Sequence, residues 1–463
     1  MCGQKIEREE DGRTSRDMMG SSAKPPMQSF VAPSFWKAGT EALLGRVLTI
    51  AASVASSIIL PLALNQTIVG QFFFAQIVIA GVSTFGQLGL TFSIPATVTQ
   101  AASLGDFGRA KQSATRMLIL SSFAGLLGGG ITWIVLPHLH PSLDPEGMAH
   151  WLAAIPVIAA IIPLTTLSAV LIELLRAVHQ IRTAANLATL ATISTVAYLA
   201  FVLFAGKHAS LVGVLLAGLG GAGFGVIIGT FQSFKVMQDW RQAPKTPVKI
   251  FSIAAQTLPN LFTTLMLFGV SQADMLLLSL FGEISDVAKY GIALRFSAVL
   301  LIPLGIVNVA FAPLAVQLRT TRDEINLRDM IRKLVVLVAG SSFFLYACFV
   351  LAGHSLISLW NMGYLDSYKI TLILGAGQVL HACGGSAGIL LLVWGDQRYA
   401  LMLTLLTSAL TILLCLIGLR FGGIVGLAAG AAFSNAFQIF CFVRRVRSRF
   451  GLDPSLWAAL RWA

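Results

Sequence analysis

Several ionisable side chains lie within long apolar stretches of the sequence, and three of them are the first candidates for chemistry. They are Arg46, Asp274 and Arg295. A charge near the middle of a bilayer costs at least ~2.5–3.5 kcal/mol, so such residues are retained for pairing or for function. A guanidinium binds a phosphate oxyanion through two parallel hydrogen bonds, and a carboxylate can orient it or carry a coupling proton or cation. The three residues therefore predict a substrate-binding site for an anionic group.

Each of these residues also has a purely structural interpretation. Arg46 lies one turn into its apolar stretch, where it could extend to the membrane surface or pair with Glu41. Asp274 and Arg295 are expected at similar depths below the outer surface, so they could pair with each other and only fix helix packing. The sequence leaves both interpretations open.

Two further titratable residues favour structural roles. Glu173 stands three residues before Arg176 at the end of an apolar stretch, which is typical of an exposed ion pair on a helix. His381 lies inside another apolar stretch, where a hydrogen-bonded packing histidine is favoured over a proton relay. Neither residue is therefore included in the predicted site.

The composition places these residues in a membrane protein. Of the 463 residues, 56% are hydrophobic and only 11% are charged, which is more apolar surface than a soluble core of this size buries. Each stretch is about 20 residues or longer, enough for a helix to cross roughly 30 Å of hydrocarbon. We predict an all-α polytopic protein with twelve transmembrane helices, over residues 43–64, 69–92, 117–137, 151–175, 184–204, 211–231, 253–280, 290–312, 334–351, 370–394, 401–419 and 424–443.

The twelve stretches form two similar halves. The segment Val69–Val98 matches in pattern the segment Val287–Val316, with Pro95 and Pro313 at the same spacing. The offset is 218 residues (287 minus 69), and it also relates the third, fourth and fifth stretches to the ninth, tenth and eleventh. Repeated matches in the same order indicate a duplication. Each half is therefore predicted to be a lobe of six helices.

Basic residues define the orientation of the helices. Of the 32 lysines and arginines, 26 fall in one set of alternate connecting segments and four in the other, with Arg46 and Arg295 inside the stretches. Basic segments are retained in the cytoplasm, so both termini are predicted to be cytoplasmic. Because six is an even number, the lobes are parallel repeats, and a substrate cavity is expected between them. We expect a multi-pass protein of the cell's inner membrane.

The predicted organisation has five parts. They are a disordered cytoplasmic tail (1–40), an N-terminal lobe (41–231), a cytoplasmic linker (232–252), a C-terminal lobe (253–443) and a basic cytoplasmic tail (444–463). The basic run at 444–449 directly follows an apolar stretch, which favours a juxtamembrane anchor to anionic lipids. Nucleic acid is not an expected partner, although the net charge is +12.

Several functional classes are disfavoured. No connecting segment exceeds roughly 25 residues, which is too short for a folded catalytic domain, so no enzyme activity is expected. The glycine-rich stretch at 218–225 is apolar and follows no strand, so helix packing explains it better than dinucleotide binding. The five cysteines form no cluster with metal-ligand spacing. No cofactor and no metal are expected.

Features of the second half resemble a transporter family. They are Leu258-Pro259, Ser271–Leu278, Phe281-Gly282, Val287–Tyr290, Pro313, Leu374–Leu380, Gly384-Gly385, Gly388–Leu391 and Gly423–Gly430. In this order and within the twelve-helix frame, over roughly residues 40–445, the chain resembles the polysaccharide-biosynthesis transporters of the multidrug/oligosaccharidyl-lipid/polysaccharide (MOP) exporter superfamily. This group includes the O-antigen-repeat flippases.

The resemblance implies a MATE-like pair of six-helix lobes that turns a polyprenyl-pyrophosphate-linked oligosaccharide from the cytoplasmic to the outer leaflet by alternating access. It implies membrane lipids and components of polysaccharide polymerisation or export as partners. One alternative is a cation-coupled multidrug antiporter of the same superfamily, disfavoured because the first lobe has no acid deeper than Glu41 or Glu173. Another alternative is a non-transporting scaffold of a glycan-assembly complex.

Overall fold

The first half of the chain folds into helices. The structure, a computed structural model, describes residues 35–138, 145–206, 208–240, 250–320, 324–358 and 362–461. A backbone in hydrocarbon must satisfy its own N–H and C=O groups, and a helix does so within one segment. The helices of the first half are α1 (Phe35–Ala63), α2 (Gln66–Gly86), α3 (Leu90–Ile94), α4 (Gln100–Ser103), α5 (Phe107–Val135), α6 (Pro145–Ala177), α7 (Ile181–Phe204) and α8 (Leu211–Asp239).

The second half repeats this helical pattern. Its helices are α9 (Ile250–Phe281), α10 (Ile284–Val299), α11 (Ile302–Thr320), α12 (Glu324–Ser358), α13 (Leu365–Cys383), α14 (Ala387–Val393), α15 (Gln397–Phe450) and α16 (Leu456–Arg461). Several helices extend beyond the predicted apolar stretches. For example, α12 begins ten residues before the stretch at 334–351 and includes charged residues in its first turns.

The helices account for the twelve predicted spans. Among the described residues, seven helices are long and apolar enough to cross a membrane, or ten if each bent pair is one span. Two of these bent pairs are α10 with α11 and α13 with α14, each bent by 49°. The 54-residue helix α15 corresponds to two predicted spans, and α1, whose described apolar part is Ala51–Ala63, corresponds to the first. The predicted all-α fold with two six-helix lobes is confirmed.

Helix α15 is a hairpin that reverses at Gly423, whose φ of 58° and ψ of −146° are not helical. Its two arms pack closely, since a Cβ added to Gly418 would lie 2.2 Å from the carbonyl oxygen of Gly426. Further from the turn, the hydroxyls of Thr411 and Ser434 are 2.5 Å apart. The arms correspond to the eleventh and twelfth predicted spans.

The two lobes meet where α2 crosses α10. A Cβ added to Gly70 would lie 2.1 Å from the carbonyl oxygen of Ile284, and one added to Gly291 would lie 2.4 Å from the Phe73 ring. Residue 73 plus the repeat offset of 218 is 291, so equivalent residues of the two halves touch each other. Such a contact is expected close to a pseudo-twofold axis that relates parallel repeats. We call this contact the α2–α10 crossing.

The two ends of the chain differ in how much of them is described. Residues 1–34 and 241–249 lie outside the described residues, as do the side chains of 35–47, so the predicted disordered tail and most of the linker are not described. The predicted basic tail is helical from its start, because α15 continues to Phe450 and ends at Gly451 in the left-handed conformation. After it, α16 folds back against α12.

A charged cluster holds α15 to the preceding connection at the predicted cytoplasmic surface. The Arg445 guanidinium donates to both Asp396 oxygens, at 2.6 and 3.3 Å, and stacks on the Tyr399 ring. Arg449 approaches the same carboxylate at 3.6 Å. The hydrogen bond from Arg445 lowers the pKa of Asp396 below its ordinary value. The carboxylate therefore stays charged in the folded protein to a lower pH than in the unfolded chain.

The predicted orientation can be tested with exposed positions on opposite sides. In a chain whose five native cysteines are replaced by serine, Ala205→Cys should react with an impermeant maleimide in intact cells, because it follows α7 on the predicted outer side. Ser448→Cys is also exposed but lies on the predicted cytoplasmic side, so it should react only after permeabilisation. The reverse pattern would refute the proposed topology.

The Asp396 cluster predicts a pH-dependent contribution to stability. The folded-state pKa of Asp396 is lowered. The ion pair therefore contributes fully to the free energy of unfolding above the unfolded-state pKa of about 4, and this contribution disappears as pH falls through the folded-state pKa. Asp396→Asn should lower the melting temperature by about 1–2 °C at pH 7. The difference from the wild type should vanish in strongly acidic buffer. Asp329→Asn, which affects an exposed pair with Lys333, should have a smaller effect, and a constant Asp396→Asn difference at every pH would contradict the account.

Candidate functional site

Arg295 of α10 lies at the interface between the lobes. Its Nη1 donates to the hydroxyl of Ser56 in α1 at 3.3 Å, and its guanidinium carbon is 4.9 Å from the centre of the Phe73 ring in α2. It stands eleven residues after the start of α10 at Ile284 and five residues into the predicted span that begins at residue 290, or roughly 8 Å below the predicted outer surface. A cation of the C-terminal lobe thus rests on a hydroxyl and an aromatic face of the N-terminal lobe.

The charge of Arg295 has no ionic partner within the part of the chain that the structure describes. A neutral hydroxyl and an aromatic ring compensate only part of the cost of removing a guanidinium from water. The group has five N–H donors, and one of them is engaged by Ser56. The arrangement is suited to receiving an oxyanion.

Asp274 does not pair with Arg295. It is buried in α9, where one carboxylate oxygen accepts from the Tyr290 hydroxyl at 2.5 Å and the other from the Met275 N–H at 2.8 Å. Tyr290 and Arg295 are five residues apart on α10, so their side chains point about 140° apart around the helix. Tyr290 therefore faces α9 inside its own lobe, and Arg295 faces the other lobe. The ion pair weighed from the sequence is absent.

Arg46, the third predicted site residue, lies in α1, but its side chain is outside the described residues. Its predicted role in substrate binding stays a prediction. Ser56 is ten residues further along the same helix, or roughly 15 Å towards the predicted outer side. The two predicted cations therefore belong to neighbouring helices of opposite lobes.

Neutral polar contacts join the lobes at other levels. At the start of α2, the Gln66 amide donates to the carbonyl oxygens of Ser285 and Gly363. At the far end of this interface, the Asn260 amide of α9 donates to the Ser93 hydroxyl of α3 at 2.8 Å. Neutral hydrogen bonds of this kind are individually weak and can exchange when two lobes move.

The two residues assigned structural roles have the expected surroundings. Glu173 and Arg176 form an ion pair at 2.5 Å with partly exposed side chains. The His381 ring contacts the side-chain oxygen of Asn435 at 2.8 Å, and Asn435 donates to Gln378 at 3.0 Å. His381 is therefore hydrogen-bonded between α13 and the second arm of α15, as predicted for a packing histidine.

Sequence reasoning missed Tyr290, Ser56 and Phe73. None of these residues is charged, so a search for ionisable groups in apolar stretches passes over them. The repeat offset contained a partial signal, because residue 56 plus 218 is 274. Ser56, which holds Arg295, is thus the equivalent of Asp274 in the other half.

Comparison with known proteins bears on the fold. No family model and no curated protein matches the chain. An inward-facing MATE-family multidrug resistance transporter of the MOP superfamily matches with a TM-score of 0.69 at 14% identity, over 88% of this chain and 98% of that one. An outward-facing structure of such a transporter matches with a TM-score of 0.60 at 14% identity, over 90% of this chain and 95% of that one. A mutant form of the Vibrio cholerae MATE transporter VcmN matches with a TM-score of 0.61 at 16% identity, over 89% of this chain and 96% of that one.

The chain has the MATE-like fold of the MOP superfamily. The matches cover both lobes, which confirms the predicted MATE-like fold. In this fold the α2–α10 crossing joins the lobes towards the predicted outer side. At 14–16% identity the likeness concerns the fold and does not identify a substrate.

The separation of Asp274 from Arg295 makes a testable prediction about energetic coupling. In a double-mutant cycle, Asp274→Ala and Tyr290→Phe should show a coupling free energy of about 1–3 kcal/mol, because the change removes a buried hydrogen bond to a charged group. Asp274→Ala and Arg295→Ala should add within about 0.5 kcal/mol. The free energy of unfolding in mixed micelles with rising dodecyl sulfate measures both. Strong coupling between Asp274 and Arg295 would mean that these two residues interact directly.

Proposed function

We propose that the protein is a membrane flippase that moves a polyprenyl-pyrophosphate-linked oligosaccharide from the cytoplasmic to the outer leaflet by alternating access, for surface or exopolysaccharide biosynthesis. The observation that carries this proposal is Arg295, an intramembrane guanidinium at the lobe interface with no carboxylate partner among the described residues. The MATE-like fold supports an exporter in general. The choice of substrate rests on the chemistry of the site.

A pyrophosphate head group matches the unpaired guanidinium. The group is anionic and rich in acceptor oxygens, and a planar guanidinium can bind two of them at once. In a low-dielectric interface this contact is much stronger than in water, and it offsets part of the cost of burying either charge alone. Membrane-dissolved substrate can reach a site between two lobes from the side, so its lipid tail can remain in the bilayer.

The contacts of Arg295 connect binding to the movement of the lobes. Ser56 and Phe73 belong to the N-terminal lobe, so separating the lobes removes both contacts from Arg295. A bound oxyanion replaces the Ser56 hydroxyl as the acceptor and adds the missing negative charge. The loaded site therefore stabilises a state in which the α2–α10 crossing is looser. A ligand shifts such an equilibrium only through its different affinity for the two states, and this exchange of partners provides that difference.

A cation-coupled multidrug antiporter is the second candidate function. It is favoured by Asp274, which is a buried carboxylate in a span and could bind a coupling proton or cation. Against it, Tyr290 and the Met275 N–H already occupy the carboxylate. In the described part of the N-terminal lobe, the acids Asp106 and Glu173 lie near helix ends rather than at mid-depth.

Lipid extracts from a deletion strain separate the candidate functions. Loss of a flippase should leave the lipid-linked oligosaccharide accumulated while surface glycan falls, with unchanged tolerance of cationic dyes. Loss of an antiporter should increase dye sensitivity and leave surface glycan intact. Loss of a scaffold should reduce synthesis of the lipid-linked unit, so that no intermediate accumulates. Unchanged glycan and unchanged intermediates, in a strain without a second such carrier, would exclude the flippase.

Substitution of Arg295 tests the site directly. Arg295→Ala should reduce flipping by about 10- to 100-fold, the effect of losing a charge-assisted hydrogen-bond pair. Arg295→Lys should recover only part of the activity, because an ammonium keeps the charge but loses the planar fork. Accumulation of lipid-linked oligosaccharide at equal protein level is the measurement.

Arg420→Ala provides the matched control, since this arginine is exposed near the α15 turn and away from the lobe interface. It should flip at the wild-type rate. Wild-type flipping by well-folded Arg295→Ala would show that Arg295 does not bind the substrate.

A further inference from the structure

A cavity of about 1310 Å³ lies on the C-terminal lobe at the predicted cytoplasmic surface. We call it the α16 pocket, because α16 and the residues just before it form one wall. The other walls come from α12, α13 and the second arm of α15. Every residue lining it belongs to the C-terminal lobe, to the end of α15 or to the segment that follows α15. The pocket is therefore separate from the lobe interface that holds Arg295.

The pocket is positively charged. It is lined by four arginines and two aspartates, namely Arg328, Arg332, Arg444, Arg447, Asp329 and Asp453. Both aspartates are already paired, Asp329 with Lys333 at 2.7 Å and Asp453 with Arg447 at 3.8 Å. No carboxylate of the described residues pairs with Arg332 or Arg444. These two guanidinium groups are free to bind an anion.

The same pocket is apolar towards the membrane. Arg332 stands two residues before the apolar stretch of α12, and Arg444 directly follows the apolar stretch of α15, so both mark the boundary between water and hydrocarbon. On the membrane side of that boundary, the lining includes Leu380, Ile439 and Phe440. A ligand that fits both parts has an anionic head and an apolar chain.

The rim of the pocket carries exposed apolar side chains. Phe440 and Trp457 line the pocket with relative exposures of 61% and 74%. Large apolar side chains on the outer surface of a span are covered by lipid, and tryptophan is enriched at the level of the head groups. Lipid molecules therefore have direct access to the pocket from the cytoplasmic leaflet.

We propose that the α16 pocket binds an anionic phospholipid of the cytoplasmic leaflet, with its phosphate on Arg332 and Arg444 and an acyl chain along Leu380, Ile439 and Phe440. Basic pockets between transmembrane helices on the cytoplasmic side suit such head groups. The bound lipid connects α12, α15 and α16, so it fastens the C-terminal segment to its lobe. This function is independent of the substrate that the lobes carry.

Native mass spectrometry of the full chain in detergent tests the proposal with defined lipids. Dioleoyl phosphatidylglycerol should bind at least about tenfold more tightly than the zwitterionic dioleoyl phosphatidylcholine. The double variant Arg332→Gln/Arg444→Gln should bind phosphatidylglycerol about 10- to 30-fold more weakly than the wild type and bind phosphatidylcholine with unchanged affinity. The melting temperature and elution volume of each variant verify that it is folded.

Arg109→Gln/Arg116→Gln is the matched control. These arginines lie on α5, the N-terminal equivalent of α12, and outside the pocket. Replacing them changes the net charge by the same amount as the pocket double variant does. The control should bind phosphatidylglycerol as the wild type does. Equal loss in both double variants, or equal binding of the two lipids to the wild type, would overturn the proposal. Displacement of phosphatidylglycerol by equimolar polyprenyl pyrophosphate would also overturn it, because the pocket would then hold a transported lipid.

The Cys383 thiol offers a second measurement, because it lines the pocket and is partly exposed. In a chain whose other four cysteines are replaced by serine, a permeant maleimide should react with Cys383 about tenfold more slowly in phosphatidylglycerol nanodiscs than in phosphatidylcholine nanodiscs. Arg332→Gln/Arg444→Gln should abolish that protection, and Arg109→Gln/Arg116→Gln should keep it. Protection that persists without Arg332 and Arg444 would refute a site built on these arginines.

Discussion

The close approach of α2 and α10 is the contact on which the arrangement of the site depends. Gly70 admits the Ile284 carbonyl and Gly291 admits the Phe73 ring, and a Cβ at either position would meet atoms within 2.4 Å. Arg295 stands four residues after Gly291, so it lies on the same face of α10, one turn deeper. The crossing thereby brings a cation of one lobe against Ser56 and Phe73 of the other.

The buried polar groups have different roles inside the lobes and between them. Asp274 is satisfied by Tyr290 and a backbone N–H within the C-terminal lobe, which stabilises that lobe as a unit. The contacts between lobes are made by neutral acceptors and aromatic faces, which leave a guanidinium charge uncompensated. Strong hydrogen bonds within each lobe and weak contacts between the lobes allow two lobes to move relative to each other as rigid bodies.

The predicted cytoplasmic face of the C-terminal lobe is organised by basic residues of α15. Arg445 binds Asp396 and stacks on Tyr399, which ties the last span to the connection after α14. One residue earlier, Arg444 lines the α16 pocket. The basic run from which the membrane orientation is predicted thus also makes specific contacts, because successive residues of a helix point in different directions.

The sequence by itself determined the membrane class, the twelve apolar spans, the two parallel lobes and the rarity of charges such as Arg295 and Asp274 within them. These properties follow from hydrophobicity, length and repeat spacing, which are local or periodic. Only the tertiary structure decided the partners of those charges. Tyr290 and Arg295 point about 140° apart around α10, and the packing of α10 decides that Tyr290 meets α9 and Arg295 meets the N-terminal lobe. It also decided that residues 451–459 close a pocket rather than extend as a tail, since this requires α12 and α15 to lie side by side. Partners across helices depend on packing between segments distant in sequence, which no local pattern specifies.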